Sequence, residues 1–332
     1  MPCSISLTFI SPKLLYHQKG RRPSVSMMAN SISTSLVGFK NLMETYTLDI
    51  HRAEGRKLNV PLIAPFTIAT SRVERVENVA IRVELSNGCC GWGEAPVLPF
   101  VTAEDQDIAL TKAGEACDFL KNYHGMSLGH VLTEVGQLLP GHHFASVRAG
   151  VEMAVIDAVA TSIGTPLWRF FGGVSNTITT DITIPIVSPT EAGQLALKYY
   201  KQGFKTLKLK VGKDLNADIE VLQAIRMAHP HCLFILDANE GYTSSEAIQV
   251  LEKLNGLDLM IGGMVETRLA MGFAGHLAAG LGAFKFIDLD TPLLLSEDPV
   301  LEGYEVSGPT YKFSNARGHG GFLHWDNIAC LR

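Results

Sequence analysis

The sequence predicts an α+β domain acting as a cap, followed by an α/β domain that forms an incomplete (β/α)8-type barrel. Three observations carry this expectation. Residues 44–100 read as short strands broken by a tight Asn87-Gly88 turn. From residue 181 onward strands and helices alternate, the pattern of a parallel sheet or barrel. That alternating stretch supplies only five strands, whereas a closed barrel takes eight and about 250 residues.

The elements follow in chain order. Thr45–His51 alternates, with Tyr46, Leu48 and Ile50 on one face. A loop of small and polar residues is expected over 65–72. Val79–Leu85 is the next strand, and Gly91-Trp92-Gly93-Glu94 follows the turn. Residues 103–135 read as helical with Thr102 as the cap, and Ala149–Phe171 as one long apolar helix ended by Gly172-Gly173. Strands are then expected at Asp181–Val187, Thr206–Val211, Leu233–Asp237, Leu257–Ile261 and Lys285–Leu289. Helices between them fall at Pro189–Gln202, Asn216–Ala228, Thr243–Leu254 and Glu266–Gly280. The expected boundaries are a disordered leader over 1–42, the cap over 43–175 and the partial barrel over 176–305. Residues 306–332 are expected to return to the cap.

The first acidic residue is Glu44, and eight serines and several basic residues precede it. A basic, Ser-rich, acid-free leader reads as an organellar transit peptide, plastid before mitochondrion. Without that function the chain would stay in the cytoplasm. The net charge of −5 and a pI near 6.1 give no reason to expect nucleic acid as a partner. No long apolar run is free of charge, so no membrane span is expected. The six cysteines show no zinc spacing and read as free thiols. No phosphate-binding glycine loop and no Gly-x-Ser-x-Gly elbow is present.

Three clusters carry chemistry. Lys208 and Lys210 lie two apart in a strand and share a face. Crowded, desolvated ammonium groups depress one another, which suits one of them to act as a base, although a solvated edge strand has the same spacing. Asp237 closes the next strand, a position that suits a hard-metal ligand or an ordinary turn. Asp288 and Asp290 end the last strand and suit a cation, or again a turn. Glu152 and Asp157 read as structural, and His319 as a loop histidine with no partner at catalytic spacing.

In this order the segments resemble the enolase superfamily, and within it the dipeptide epimerases of the L-Ala-D/L-Glu type. The carriers are the Asn87–Glu94 hairpin, the Ala149–Asp157 helix, Lys208-x-Lys210, Asp237-Ala-Asn239, Gly262-Gly-Met-Val-Glu266 and Ile287-Asp-Leu-Asp290. The resemblance implies an isomerase in which Mg²⁺ steadies the enolate left after α-proton removal. It implies Lys210 as the acid/base, Lys208 as its electrostatic neighbour and Asp237 as a metal ligand. Asp288 and Asp290 would hold the ammonium of a dipeptide substrate. Arg72, Thr183, Gly263 and Met264 would line its pocket.

The pattern is incomplete. Two further metal carboxylates and a second lysine belong on strands that should lie between Asn239 and Gly262, where the sequence has room for one helix and the start of one strand. Residues 181–332 number 152, short of a barrel by about three βα units of roughly 30 residues. Asn255-Gly256 joins the flanks smoothly, as an in-frame internal loss would. The expectation is a chain of impaired activity. The alternatives are an inactive or regulatory isoform associating with itself or a full-length subunit, and a one-lysine lyase or cycloisomerase.

Overall fold

The computed structural model describes residues 8–10, 39–67, 72–122, 124–211, 215–237 and 260–326. The expected Thr243–Leu254 helix and the Asn255-Gly256 join lie outside the described residues.

The cap begins with α1 (Phe39–Thr45), which starts within the segment expected to be leader and runs past its end at residue 42. It continues with β2 (Thr47–Thr67), β3 (Arg72–Leu85) and β4 (Cys90–Ala95). β1 (Thr8–Ile10) comes earlier in the chain and pairs elsewhere. Of the expected 65–72 loop, residues 68–71 lie outside the described residues, and the two ends are strand: Phe66 pairs with Val73 and Thr67 with Arg72. A strand signal from small and polar residues is weak, and the long hairpin supplies the pairing that local sequence does not.

The single helix expected over 103–135 is two. α2 (Pro99–Thr102) leads into α3 (Gln106–Asn122), then β5 (His124–Ser127) and α4 (Leu128–Leu138). Asp105, not Thr102, caps α3, accepting from the Ile108 N–H at 2.8 Å. The apolar helix also divides, into α5 (Ala145–Ser162) and α6 (Leu167–Phe170). Gly164 sits between them at φ +73°, where a side chain would strain the turn.

The cap sheet has the order β4-β3-β2-β5. Its core is the apolar face of α3, α4 and α5 against Leu48, Val79, Ile81 and Val83. Gly91 and Gly93 explain how α5 lies so close to β4. A Cβ at either would fall on α5 backbone, at Ala154 and Ala158 or at Gly150.

The second domain runs β6 (Thr177–Thr179), β7 (Ile182–Ile184), α7 (Pro189–Lys201), β8 (Thr206–Lys210), α8 (Leu215–Ala228) and β9 (Leu233–Asp237). After the undescribed stretch come β10 (Met260–Gly262), α9 (Arg268–Leu281) and β11 (Phe286–Asp288). The parallel strands fall into two pieces, β7-β8-β9 and β10-β11. All five expected barrel strands are present: β9 has its expected bounds, β7, β8 and β11 are shorter than expected, and β10 is described from Met260 to Gly262.

Within the leader, expected to stay outside the fold, Thr8–Ile10 add to the free edge of β9 in antiparallel register, Thr8 opposite Asp237. An unpaired strand edge attracts such additions.

The chain ends in β12 (Val300–Glu302), β13 (Tyr304–Ser307), β14 (Thr310–Phe313) and β15 (Gly321–Leu323). Trp325 then reaches the cap: its ring meets Trp92 edge-on at 5.7 Å, and its Nε1 donates to Glu54 at 2.7 Å. Among the described residues no helix is long and apolar enough to cross a membrane.

Candidate active site

β8 is the central strand of its sheet, flanked by β7 and β9. Leu207 and Leu209 face α7 and α8 and are fully buried. The alternation sends Lys208 and Lys210 to the opposite, interior face. Lys208 is 7% exposed, so the reading of a solvated edge strand does not hold.

Both ammonium groups converge on one oxygen. Lys210 Nζ donates to Asp237 Oδ2 at 2.7 Å, and Lys208 Nζ lies 3.2 Å from the same atom. Lys208 also donates to Asp288 Oδ2 across the interior. The two lysines therefore differ. Burial, then the Lys208 cation, holds Lys210 below the ordinary lysine value despite Asp237. Burial also pulls on Lys208, but Asp288 and Asp237 outweigh it and its pKa rises. Lys210 is thus the more readily deprotonated of the two.

Asp288 and Asp290 stand at the end of β11, next to β7. Asp290 Oδ2 accepts from the Thr183 N–H at 2.6 Å. Thr183 thus joins the cluster through its backbone. Asp181, which the sequence did not single out, lies with them: oxygens of Asp181, Asp288 and Asp290 come within 4.8 Å of one another. Burial, and then Asp288, pushes the Asp181 carboxyl far above the carboxylate range.

Gly263 and Met264 line a separate hollow of about 500 Å³ at the tip of β10, together with Pro96, Thr102 and Ser146 from the cap and Glu266. Glu266 is pushed up to about 8, first by burial, and its Oε2 has no hydrogen-bond partner. Arg72 does not join either group. Its side chain is 61% exposed and pairs with Glu74 at 3.4 Å. It lies at the start of β3, next to residues 68–71, which are outside the described residues.

His319, expected as a loop histidine without a partner, is 2% exposed, and its Nε2 meets Arg268 O at 3.1 Å. Asp157 keeps its structural role, accepting from the N–H groups of Trp92 and His319. The sequence also missed Glu94, the last residue of the Gly-Trp-Gly-Glu segment. It caps α9, accepting from Thr267 N at 3.0 Å and from Thr267 Oγ1 at 2.6 Å, while Asn78 donates to it at 2.7 Å.

Asp237 is a poor seat for a divalent ion here. Mg²⁺ demands an octahedron of oxygens. The oxygen that Asp237 would offer already accepts from two ammonium groups, and its neighbours Lys208 and Lys210 repel a cation. No other carboxylate joins Asp237 in a cluster of potential metal ligands among the described residues. The described residues do not fit the metal at that position.

Two family profiles match the chain. The mandelate racemase / muconate lactonizing enzyme N-terminal domain covers residues 53–172, and the enolase C-terminal domain-like profile covers 191–262. The chain is 55% identical to an L-Ala-D/L-amino acid epimerase from Populus trichocarpa, over 96% of this chain and 97% of that one. That alignment spans 407 positions against 332 residues here, so at least 75 (407 − 332) belong to the relative alone. Among solved structures, the substrate-liganded L-Ala-D/L-Glu epimerase from Bacillus subtilis matches with a TM-score of 0.75 at 28% identity, covering 83% of this chain and 99% of that one. The fold also matches an Enterococcus faecalis dipeptide epimerase complexed with Mg and the dipeptide L-Leu-L-Tyr. There the TM-score is 0.74 at 24% identity, over 83% of this chain and 100% of that one.

Proposed function

Because the chain belongs to the dipeptide epimerases of the enolase superfamily, we propose that it derives from an enzyme that epimerises L-Ala-D/L-Glu-type dipeptides, and that in its present form it turns them over slowly or not at all. Epimerisation removes a proton from one face of the α-carbon and returns one to the other, so it needs a group on each side. In this reading Lys210 is the acid/base of one face and Lys208 its electrostatic neighbour. Thr183, Gly263 and Met264 border the substrate's place. Among the described residues no second lysine stands opposite.

The observation that carries the impairment is the double contact on Asp237. Lys210 Nζ donates at 2.7 Å to Asp237 and is tied to that carboxylate, away from a substrate's α-carbon, although burial and Lys208 keep its pKa below the ordinary value. The same contact removes the carboxylate from service as a metal ligand. Lys208 further occupies Asp288, one of the two acids that would hold a dipeptide's ammonium.

The test is a chiral assay on L-Ala-L-Glu and L-Ala-D-Glu with Mg²⁺, run in D₂O with the Populus relative alongside. The expected result is at least about a thousandfold less epimer than the relative makes, about 4 kcal/mol in the barrier. Turnover within tenfold of the relative would sink the reading. Deuterium gained without inversion would mean that Lys210 still exchanges a proton on one face.

A further inference from the structure

In a closed barrel every strand has a neighbour on both sides. β9 has a barrel neighbour on one side only. There β8 pairs with it in unbroken parallel register, from Thr206 opposite Leu233 to Lys210 opposite Asp237. On its other side the one strand partner among the described residues is Thr8–Ile10. The β9 sequence Leu-Phe-Ile-Leu-Asp holds no lysine, no proline and no bulge, the devices that keep a flat apolar edge from pairing with another chain. Leu233, at its start, is 57% exposed and lies beyond the three positions that β1 pairs.

The partner strand is of the kind such an edge selects. Thr8, Phe9 and Ile10 are β-branched or aromatic, and they run antiparallel to β9 while β7 and β8 run parallel to it. Strand addition recognises backbone groups, so other extended segments fit the same edge. Residues 11–38 tether this one to α1, and a tethered segment meets its site at an effective concentration on the order of millimolar.

From these observations we propose that β9 is a strand-accepting edge, that Thr8–Ile10 plugs it and keeps the chain a monomer, and that the occupant once the plug is withdrawn is the β9 edge of a second copy. Two copies of one strand pair antiparallel about a two-fold axis and close, with no further surface required. The antiparallel direction that β1 already takes on this edge is the one a second β9 would take. A cut between Ile10 and Phe39 frees the plug, so trimming of the leader switches the chain from monomer to dimer.

The test uses the full chain carrying T8P/F9P/I10P, since proline cannot donate to a ladder. Sedimentation velocity at micromolar concentrations reads the assembly, and hydrogen exchange of a peptide spanning 233–237 reads the edge. The wild type is expected to be a monomer with β9 protected. The variant is expected to dimerise as concentration rises and, when dilute, to exchange at β9 at least about tenfold faster. An excess of a synthetic peptide of residues 5–13 should return it to monomer. Circular dichroism checks folding. If the variant does not fold, a protease site placed between Ile10 and Phe39, cut after folding, carries the same test. Equal exchange and equal sedimentation in wild type and variant would overturn the plug. Dimers in both, or a variant that stays monomeric or forms only large aggregates, would overturn the two-fold partner. Neither readout requires turnover, so failure here leaves the epimerase reading untouched.

Discussion

Lys208 and Glu266 show how strongly burial governs single side chains here. Lys208 is at 7% exposure yet stays charged, because two carboxylates from two strands meet it. Glu266 is equally buried but has no cation, and its folded form holds its proton up to about pH 8. The sign follows directly. The folded pKa lies above the unfolded value near 4.5, so ionisation works against folding. Stability is fullest below about pH 4.5 and falls as pH rises towards 8. E266Q removes that ionisation. It should be more stable than the wild type at pH 8, by up to a few kcal/mol, with the gain shrinking to near zero at pH 5. Urea unfolding at the two pH values checks it. An unchanged difference would place the charge of Glu266 elsewhere in the balance.

At the scale of elements, the closest fit is between β4 and α5. Gly93 faces Gly150 with no room for a methyl group, since a Cβ there would meet the Gly150 carbonyl. G93A should therefore push the helix off the sheet and destabilise by about 3 kcal/mol, at the upper end of ordinary overpacking. A drop of several degrees in Tm would register it, and an unchanged Tm would show that α5 can slide. The element scale also shows what sequence could tell. Period-two alternation in Thr206–Lys210 put both lysines on one face, and burial in the sheet decided that this face is the interior one. Asp181 was invisible to the same method. A lone acid before a three-residue strand makes no pattern, and its meaning comes only when β7 lies beside β11. Arg72 failed for the opposite reason: its loop reading was local, and a 21-residue partner strand overrode it.

For the whole molecule, the parallel strands form two groups with no described pairing between β9 and β10. The strand count exposed this deficit in the sequence, and the Populus alignment, with at least 75 positions that this chain lacks, agrees with it in size. Sequence could not anticipate that Thr8–Ile10 would cover the β9 edge, because three residues carry no register signal of their own.

Glu94 links these scales. It belongs to the last strand of the cap hairpin, yet it supplies the cap of α9, a helix of the partial barrel. Melting either domain alone would strip its neighbour of that carboxylate or leave the acid buried without donors. Calorimetry should accordingly record one endotherm for both domains, and E94A should split it in two. The barrel-like domain borrows its cooperativity from the cap, and a single glutamate is the point of transfer.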